Sequence, residues 1–486
     1  MRTIMMRRSS WCLQQYRRIT TSQPTVFEVV NPTTGRAIAE VPDDSPQDVA
    51  AKFERLAAGQ KMWDAVPVFE RREALERFNE LLRQNMNNLS QILTSEMGKP
   101  IKQAKNEIRA TVDRIKFYIN NCEKVLQERT VLETTRLREK VVYEPLGVIA
   151  NISAWNYPYF VSANVFAAAL LTGNAVLYKP SEYASLSGLE ITRLLHQAGV
   201  PANAFQVTTG KGGTGAAVAS LEGLGGVFFT GSFKTGLQIA KQAAPNLVKV
   251  QLELGGKDAV YVREDVPNIA SAAASVADGA FYNNGQSCCS VERIYVDKRI
   301  FPEFVGNFIK TVKSFKVGDP LDEDTYIGPL ARQPQVPFLA SQVTDALEKG
   351  ANAVVGGNLD FSEPSSGGFW FPPTVLIDVN HTMSVMREES FGPVIGIQAV
   401  DGDEEASQLM RDTAYGLTAS VFCKSSEDAE TILRGIEVGT GYWNCCDRVS
   451  PRLPWSGRKA SGIGSTLGLD GLRSFVQPKG FFFQTP

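Results

Sequence analysis

Residues 148–180 run VIANISAWNYPYFVSANVFAAALLTGNAVLYKP. Val148–Ile152 and Ala175–Tyr178 are short, largely apolar runs, and the stretch Val161–Leu171 between them has helical length. A largely apolar run of that size, without alternation, fits a strand covered on both faces, the condition of a parallel sheet. The alternation continues through Phe205–Thr208, Val227–Thr230 and Val248–Leu254, with helical stretches Leu189–Gln197 and Gly236–Ala244 between them. Strands alternating with helices imply βαβ units, so the fold class is α/β. After Gly256 the pattern recurs, with strands Ala259–Val262 and Arg293–Val296 and helices near Ile269–Tyr282, Phe301–Phe315 and Val336–Leu347. Two α/β domains in sequence are expected, joined near Gly255–Lys257.

Upstream, Ser45 to about Leu126 is helical: Phe53, Leu56 and Ala57, then Leu75, Phe78, Leu81 and Leu82, recur at helix spacing. Thr130–Tyr143 mixes branched and charged residues without that period and predicts an exposed two-stranded excursion. The chain starts differently. Residues 1–24 hold Arg2, Arg7, Arg8, Arg17 and Arg18 with no acid, among Ser and Thr, and no apolar core that would suggest secretion. That composition predicts an organelle transit peptide, most simply a mitochondrial one.

At 486 residues, the chain exceeds one typical core. With 50 Lys and Arg against 52 Asp and Glu, nothing points to nucleic acid or a membrane surface. Seven cysteines without regular spacing suit a reducing compartment better than a disulfide framework. Two histidines, His196 and His381, make a metal site unlooked-for and argue against a His-based catalytic couple.

Two glycine-rich turns follow strands. Gly210–Gly215 matches G-x-G-x-x-G literally, and Gly231–Gly236 is a second candidate; either lets a pyrophosphate approach a helix start, and either is also a plain tight turn. The segment Tyr282-Asn283-Asn284-Gly285-Gln286-Ser287-Cys288-Cys289-Ser290 is a small, polar turn able to present a thiol to a cleft. A thiol of ordinary pKa, about 8.5, needs activation to act at neutral pH. With so few histidines, that falls to a carboxylate, a water or a dipole; two buried structural cysteines are the alternative.

Gly285-Gln286-Ser287-Cys288, with Glu253-Leu254-Gly255-Gly256-Lys257 upstream, resembles the NAD(P)-dependent aldehyde dehydrogenase superfamily. Trp155-Asn156-Tyr157-Pro158, Lys179-Pro180-Ser181-Glu182, Phe229-Thr230-Gly231-Ser232, Glu389-Ser390-Phe391-Gly392-Pro393 and Ser461-Gly462 fall in the family's order, and the likeness runs from about Val26 to the C-terminus. It implies a Rossmann-type cofactor domain (25–127 and 146–255), an α/β catalytic domain (256–460) and small β oligomerisation elements (128–145 and 461–486). It makes Cys288 rather than Cys289 the nucleophile, Asn156 an oxyanion donor and Glu253 the general base that activates water. NAD is the implied cofactor, held by Trp155, Lys179, Ser181, Glu182, Gly231, Ser232, Leu254, Glu389 and Phe391; Glu182 would favour NAD over NADP, and Gly210–Gly215 becomes a decoy. A small-molecule aldehyde oxidised to its acid is the implied reaction, and a homodimer or homotetramer the implied assembly.

Rivals from other classes are a coenzyme A-acylating dehydrogenase, which Glu253 disfavours, a cysteine acyltransferase without nicotinamide, and a silent binding homologue. Tyr157, Asn164, Val449 and Trp455 are the expected substrate pocket. Asn164 stands where semialdehyde members carry Arg, which weakens a carboxylate-bearing substrate, while Arg448 and Arg452 flank the pocket loop as other anion candidates. Ser465-Thr466 replaces an Arg-Glu pair of many relatives, leaving no auxiliary proton relay there. Cys445-Cys446 is expected to bring one thiol near the tunnel, and a reversible Cys288–Cys289 bond under oxidation is conceivable.

Overall fold

The computed structural model describes residues 25–358 and 367–485; the Arg-rich leader at 1–24 lies outside them. Its strands are β1 (Val26–Asn31), β2 (Arg36–Pro42), β3 (Arg129–Glu133), β4 (Leu137–Pro145), β5 (Val148–Ile152), β6 (Ala175–Lys179), β7 (Phe205–Val207), β8 (Gly226–Thr230), β9 (Lys249–Glu253), β10 (Asp258–Val262), β11 (Val291–Asp297), β12 (Asn352–Val355), β13 (Thr374–Ile377), β14 (Val394–Val400), β15 (Thr418–Phe422), β16 (Thr440–Trp443), β17 (Gly462–Ile463) and β18 (Val476–Gln484).

They form a six-stranded sheet in the order β17-β9-β8-β5-β6-β7, a seven-stranded sheet β12-β13-β14-β11-β10-β15-β16, an antiparallel triplet β18-β4-β3 and the hairpin β1-β2. In the six-stranded sheet only β17 is antiparallel, through Gly462 opposite Glu253 and Ile463 opposite Leu252. Strand order reverses between β5 and β8. Ligands of open α/β sheets bind beyond the carboxyl ends of strands at such a switch point.

Alternation of side chains along each strand builds two cores per sheet. Val148, Ala150 and Ile152 face Val49, Phe53 and Leu56 of the helix Pro46–Asp64 and Val218 and Ile239 of two others. Ile149 faces the opposite layer, with Phe78, Tyr118 and Phe166. The helix Pro158–Leu171 is apolar nearly all round because it lies inside that layer, against the helix Ile101–Leu126. The seven-stranded sheet repeats the scheme: Val260 and Val262 pack with Val276 and Phe308, and Ala259 and Tyr261 with Leu339 and Val343. Ser45 starts the first helix with a capping box closed by Asp48.

The helix Phe233–Ala243 begins three residues before the expected Gly236, because Ser232 caps it by accepting from Thr235 N–H. Of the four phenylalanines in the tail Ser474–Gln484, Phe475 precedes β18, is fully buried and stacks on Phe228 at 4.4 Å. Phe482 and Phe483 do stand exposed on β18.

Candidate active site

The carboxyl edge of the six-stranded sheet faces the amino edge of the seven-stranded one. Trp155 and Asn156 follow β5, Lys179 ends β6, Ser232 follows β8 and Glu253 ends β9; across the cleft, Cys288 precedes β11 and Glu389–Phe391 precede β14. Between them a cavity of about 360 Å³ is lined by Cys288, Cys289, Glu253, Tyr157, Asn164, Val449, Trp455, Arg114 and Asp447, among others.

The turn carrying the thiol is held by unusual backbone. Asn283, Asn284 and Gly285 have φ of 54°, 59° and 70°, a left-handed run that asparagine and glycine tolerate best. At Gly285 a Cβ would come within 2.3 Å of Gly392 O. Asn283 N–H donates to Gln103 Oε1 at 2.8 Å, Asn284 Nδ2 to Pro329 O at 2.7 Å, and Ala331 N–H to Gln286 Oε1 at 2.9 Å. So fixed, Cys288 is half-buried at the cavity wall and Cys289 is buried behind it. Cys289 Sγ donates to Asp447 Oδ1 at 3.1 Å. The shared hydrogen bond with Cys288, then burial, then Asp447, push the Cys289 thiol far up, so it stays protonated.

Asn156 Nδ2 donates to Gln286 O at 3.2 Å, aiming its amide at the turn that carries Cys288. Two residues the sequence did not flag hold it there. Fully buried Lys99 is ion-paired with Glu107 and donates to Asn156 O at 2.7 Å, and Glu107 accepts from Tyr159 N–H at 2.8 Å. Glu253 accepts from Gln251 Nε2 at 2.8 Å through Oε1, while its buried Oε2 has no partner. Burial, then the nearby Cys288, raise its carboxyl well above the usual range.

On the cofactor side, Lys179 is buried, donating to Pro180 O at 3.1 Å with Glu182 at 3.8 Å, and Ser181 accepts from Tyr183 N–H. Gly231 and Leu254 flank the crevice: a Cβ on Gly231 would strike the Phe229 ring, and Leu254 closes over Gly236. Gly215 lies against the Lys179 stem, so the literal glycine motif borders this crevice. Trp155 packs edge-on against Phe391 at 5.5 Å and Tyr183 at 6.4 Å. Arg332, another residue without a sequence signal, lies over Trp155 with its buried Nε unpartnered. Glu389 accepts from Gly256 N–H at 3.0 Å, and burial pushes it up to about 8. An orphaned guanidinium nitrogen, a half-matched lysine and a switch-point crevice fit a bound dinucleotide.

Some expected residues stand elsewhere. Cys446 does not reach the tunnel: it is buried against Ser275 of the helix Ile269–Phe281, and neither it nor Cys445 is among the lining residues. Arg448 lines the cavity mouth but is exposed, and exposed Arg452 does not line it. Asn164 is more than wall, because its Oδ1 accepts from buried Arg114 Nη1 at 3.0 Å. Among the described residues no group of three or more His, Cys, Asp or Glu could hold a metal.

Residues 19–481 match the aldehyde dehydrogenase family. The chain is 31% identical over 463 residues to lactaldehyde dehydrogenase of Escherichia coli, covering 94% of this chain and 95% of the relative. It is 35% identical over 452 residues to a putative NADP(+) succinate-semialdehyde dehydrogenase of Mycolicibacterium smegmatis, covering 91% and 86%. The crystal structure of lactaldehyde dehydrogenase from Escherichia coli superposes with a TM-score of 0.91 at 30% identity, covering 96% of this chain and 97% of that one. The chain therefore belongs to the aldehyde dehydrogenase family, oxidoreductases that act on aldehydes.

Proposed function

We propose that this protein oxidises an aldehyde to the free carboxylic acid with NAD⁺ as preferred acceptor, through a thiohemiacetal and then a thioester on Cys288. The observation that carries the reading is a half-buried thiol sharing one cavity with an unpartnered carboxylate oxygen, on a turn whose Gln286 carbonyl accepts from the Asn156 amide. The Cys288 sulfur adds to the carbonyl carbon, and the oxyanion accepts from Asn156 Nδ2 and the Cys288 N–H. A dinucleotide bound by Trp155, Lys179, Glu182, Ser232, Glu389 and Phe391 would accept the hydride. Glu253 then takes a proton from water, whose oxygen attacks the thioester and releases the Cys288 thiolate. Because burial, then the nearby Cys288, raise the Glu253 carboxyl above its usual range, its base form gains population at higher pH than an ordinary carboxylate's, and kcat rises with it.

Glu182 supports NAD⁺, since a carboxylate at the adenosine ribose repels a 2′-phosphate. NADP⁺ is the second reading, favoured by buried Lys179 and by the NADP(+) in the mycobacterial relative's name. The test is oxidation of propanal without coenzyme A, following reduced dinucleotide and acid together, with NAD⁺ or NADP⁺, for wild type and Glu253→Gln. The expected result is equal amounts of both products, higher kcat/KM with NAD⁺, and a single-turnover burst in Glu253→Gln with loss of the alkaline rise in kcat. Reduced dinucleotide formed only when coenzyme A is added, with acyl-coenzyme A in place of acid, or higher kcat/KM with NADP⁺, overturns the respective part.

We further propose assembly into a homodimer or homotetramer through β18, supported by exposed Phe482 and Phe483, and mitochondrial import, supported by the leader's composition.

A further inference from the structure

We propose that Arg114 is an anion anchor in the substrate cavity, and that the aldehyde oxidised here carries a carboxylate remote from its carbonyl; this rests on the aldehyde-oxidising reading above. Of the other buried cations, Lys179 has Glu182 at 3.8 Å beside the cofactor crevice, and the rest are matched within the scaffold. Lys99 is paired with Glu107 and Lys257 with Glu292. Arg293 donates to Lys257 O, Tyr295 Oη, Leu409 O and Met410 O. Arg71 has Asp64 at 3.7 Å and two backbone carbonyls.

Arg114 is as buried as these, 4% exposed, yet its one hydrogen bond is to the neutral amide oxygen of Asn164, and no carboxylate among the described residues forms an ion pair with it. Its guanidinium is pinned over the Phe160 ring at 4.1 Å, and Phe160 stacks on Tyr157 at 4.5 Å, so it is held in place. A buried charge is retained only when something compensates it. Arg114 and Cys288 line the same cavity, which makes the missing partner a group that enters with the substrate.

The carboxylates lining that cavity have hydrogen-bond partners of their own, Glu253 through one oxygen only, and none is ion-paired with Arg114. Glu107 is taken by Lys99 and Tyr159 N–H, Asp278 accepts from Tyr326 Oη at 2.5 Å, Asp447 accepts from Cys289 and Ser287, and Glu253 accepts from Gln251. Arg448 adds a second positive charge at the mouth. The fork of a guanidinium suits a planar carboxylate. A terminal ammonium would meet an unpaired like charge.

The test compares glutaric semialdehyde, its methyl ester and 5-aminopentanal as substrates for wild type, Arg114→Gln and Arg114→Lys. Wild type is expected to prefer the carboxylate over the ester by roughly 100-fold in kcat/KM, chiefly through KM. Arg114→Gln should erase that ratio and Arg114→Lys retain part of it. A wild type without the preference, or a variant that loses both substrates equally so that the ratio stands, overturns the anchor. If wild type oxidises none of the three, the aldehyde-oxidising reading fails instead. Calorimetric binding of glutarate then decides the anchor alone: loss in Arg114→Gln supports it, and unchanged or absent binding to wild type refutes it.

Discussion

The two parallel sheets share an architecture and use opposite edges. The six-stranded sheet places Trp155, Asn156, Lys179, Ser232 and Glu253 just beyond the carboxyl ends of β5, β6, β8 and β9, where topology alone puts a ligand. The seven-stranded sheet places Lys257, Cys288 and Glu389–Phe391 just before the amino ends of β10, β11 and β14. An amino edge has no helix N-termini converging on it, so the chain builds that side by other means. Positive φ at Asn283, Asn284, Gly285 and Phe391 shapes the turns, and Glu292 braces them by accepting from Lys257 Nζ, Ser390 N–H and Phe391 N–H. One edge is ready-made for a nucleotide; the other is built specifically to hold a sulfur atom.

Cys288→Ala breaks the comparison most severely. Steady turnover is expected to fall on the order of 10⁴-fold or more while dinucleotide affinity, read by fluorescence titration, stays close to wild type. If affinity falls in parallel, the edges are not functionally separate. Next comes the brace. Glu292→Ala leaves the buried Lys257 ammonium uncompensated and should cost about 3–5 kcal/mol of stability, measured by denaturant unfolding. Smallest is Ser232→Ala at the opposite edge. It removes the cap of the helix Phe233–Ala243, worth about 1 kcal/mol, and should weaken dinucleotide binding without affecting thiol labelling at Cys288.

What the sequence made legible follows from the same contrast. Central parallel strands are covered on both faces, so β5, β6 and β8 appear as largely apolar runs and the alternation of strands with helices could be anticipated. The nucleophile's turn was visible by its motif and small residues. β17 was not: two residues, Gly462 and Ile463, carry no period, and only their pairing with β9 makes them a strand. Arg114, Lys99 and Glu107 were equally silent, because a charged residue turned inward on the helix Ile101–Leu126 or just before it has the same letter as one turned outward. Asn164 was expected to weaken a carboxylate-bearing substrate. It accepts from the Arg114 guanidinium of a neighbouring helix, a contact that spacing along one chain segment does not reveal.

The pairing of Gly462 with Glu253 also bears on the order in which the protein can be completed. During synthesis, the strand bearing Glu253 remains an open sheet edge until residues 462–463 have left the ribosome, long after the rest of its sheet. A nascent or truncated chain lacking that last clasp would present a sticky backbone instead of a finished catalyst, so competence arrives only at the end of translation.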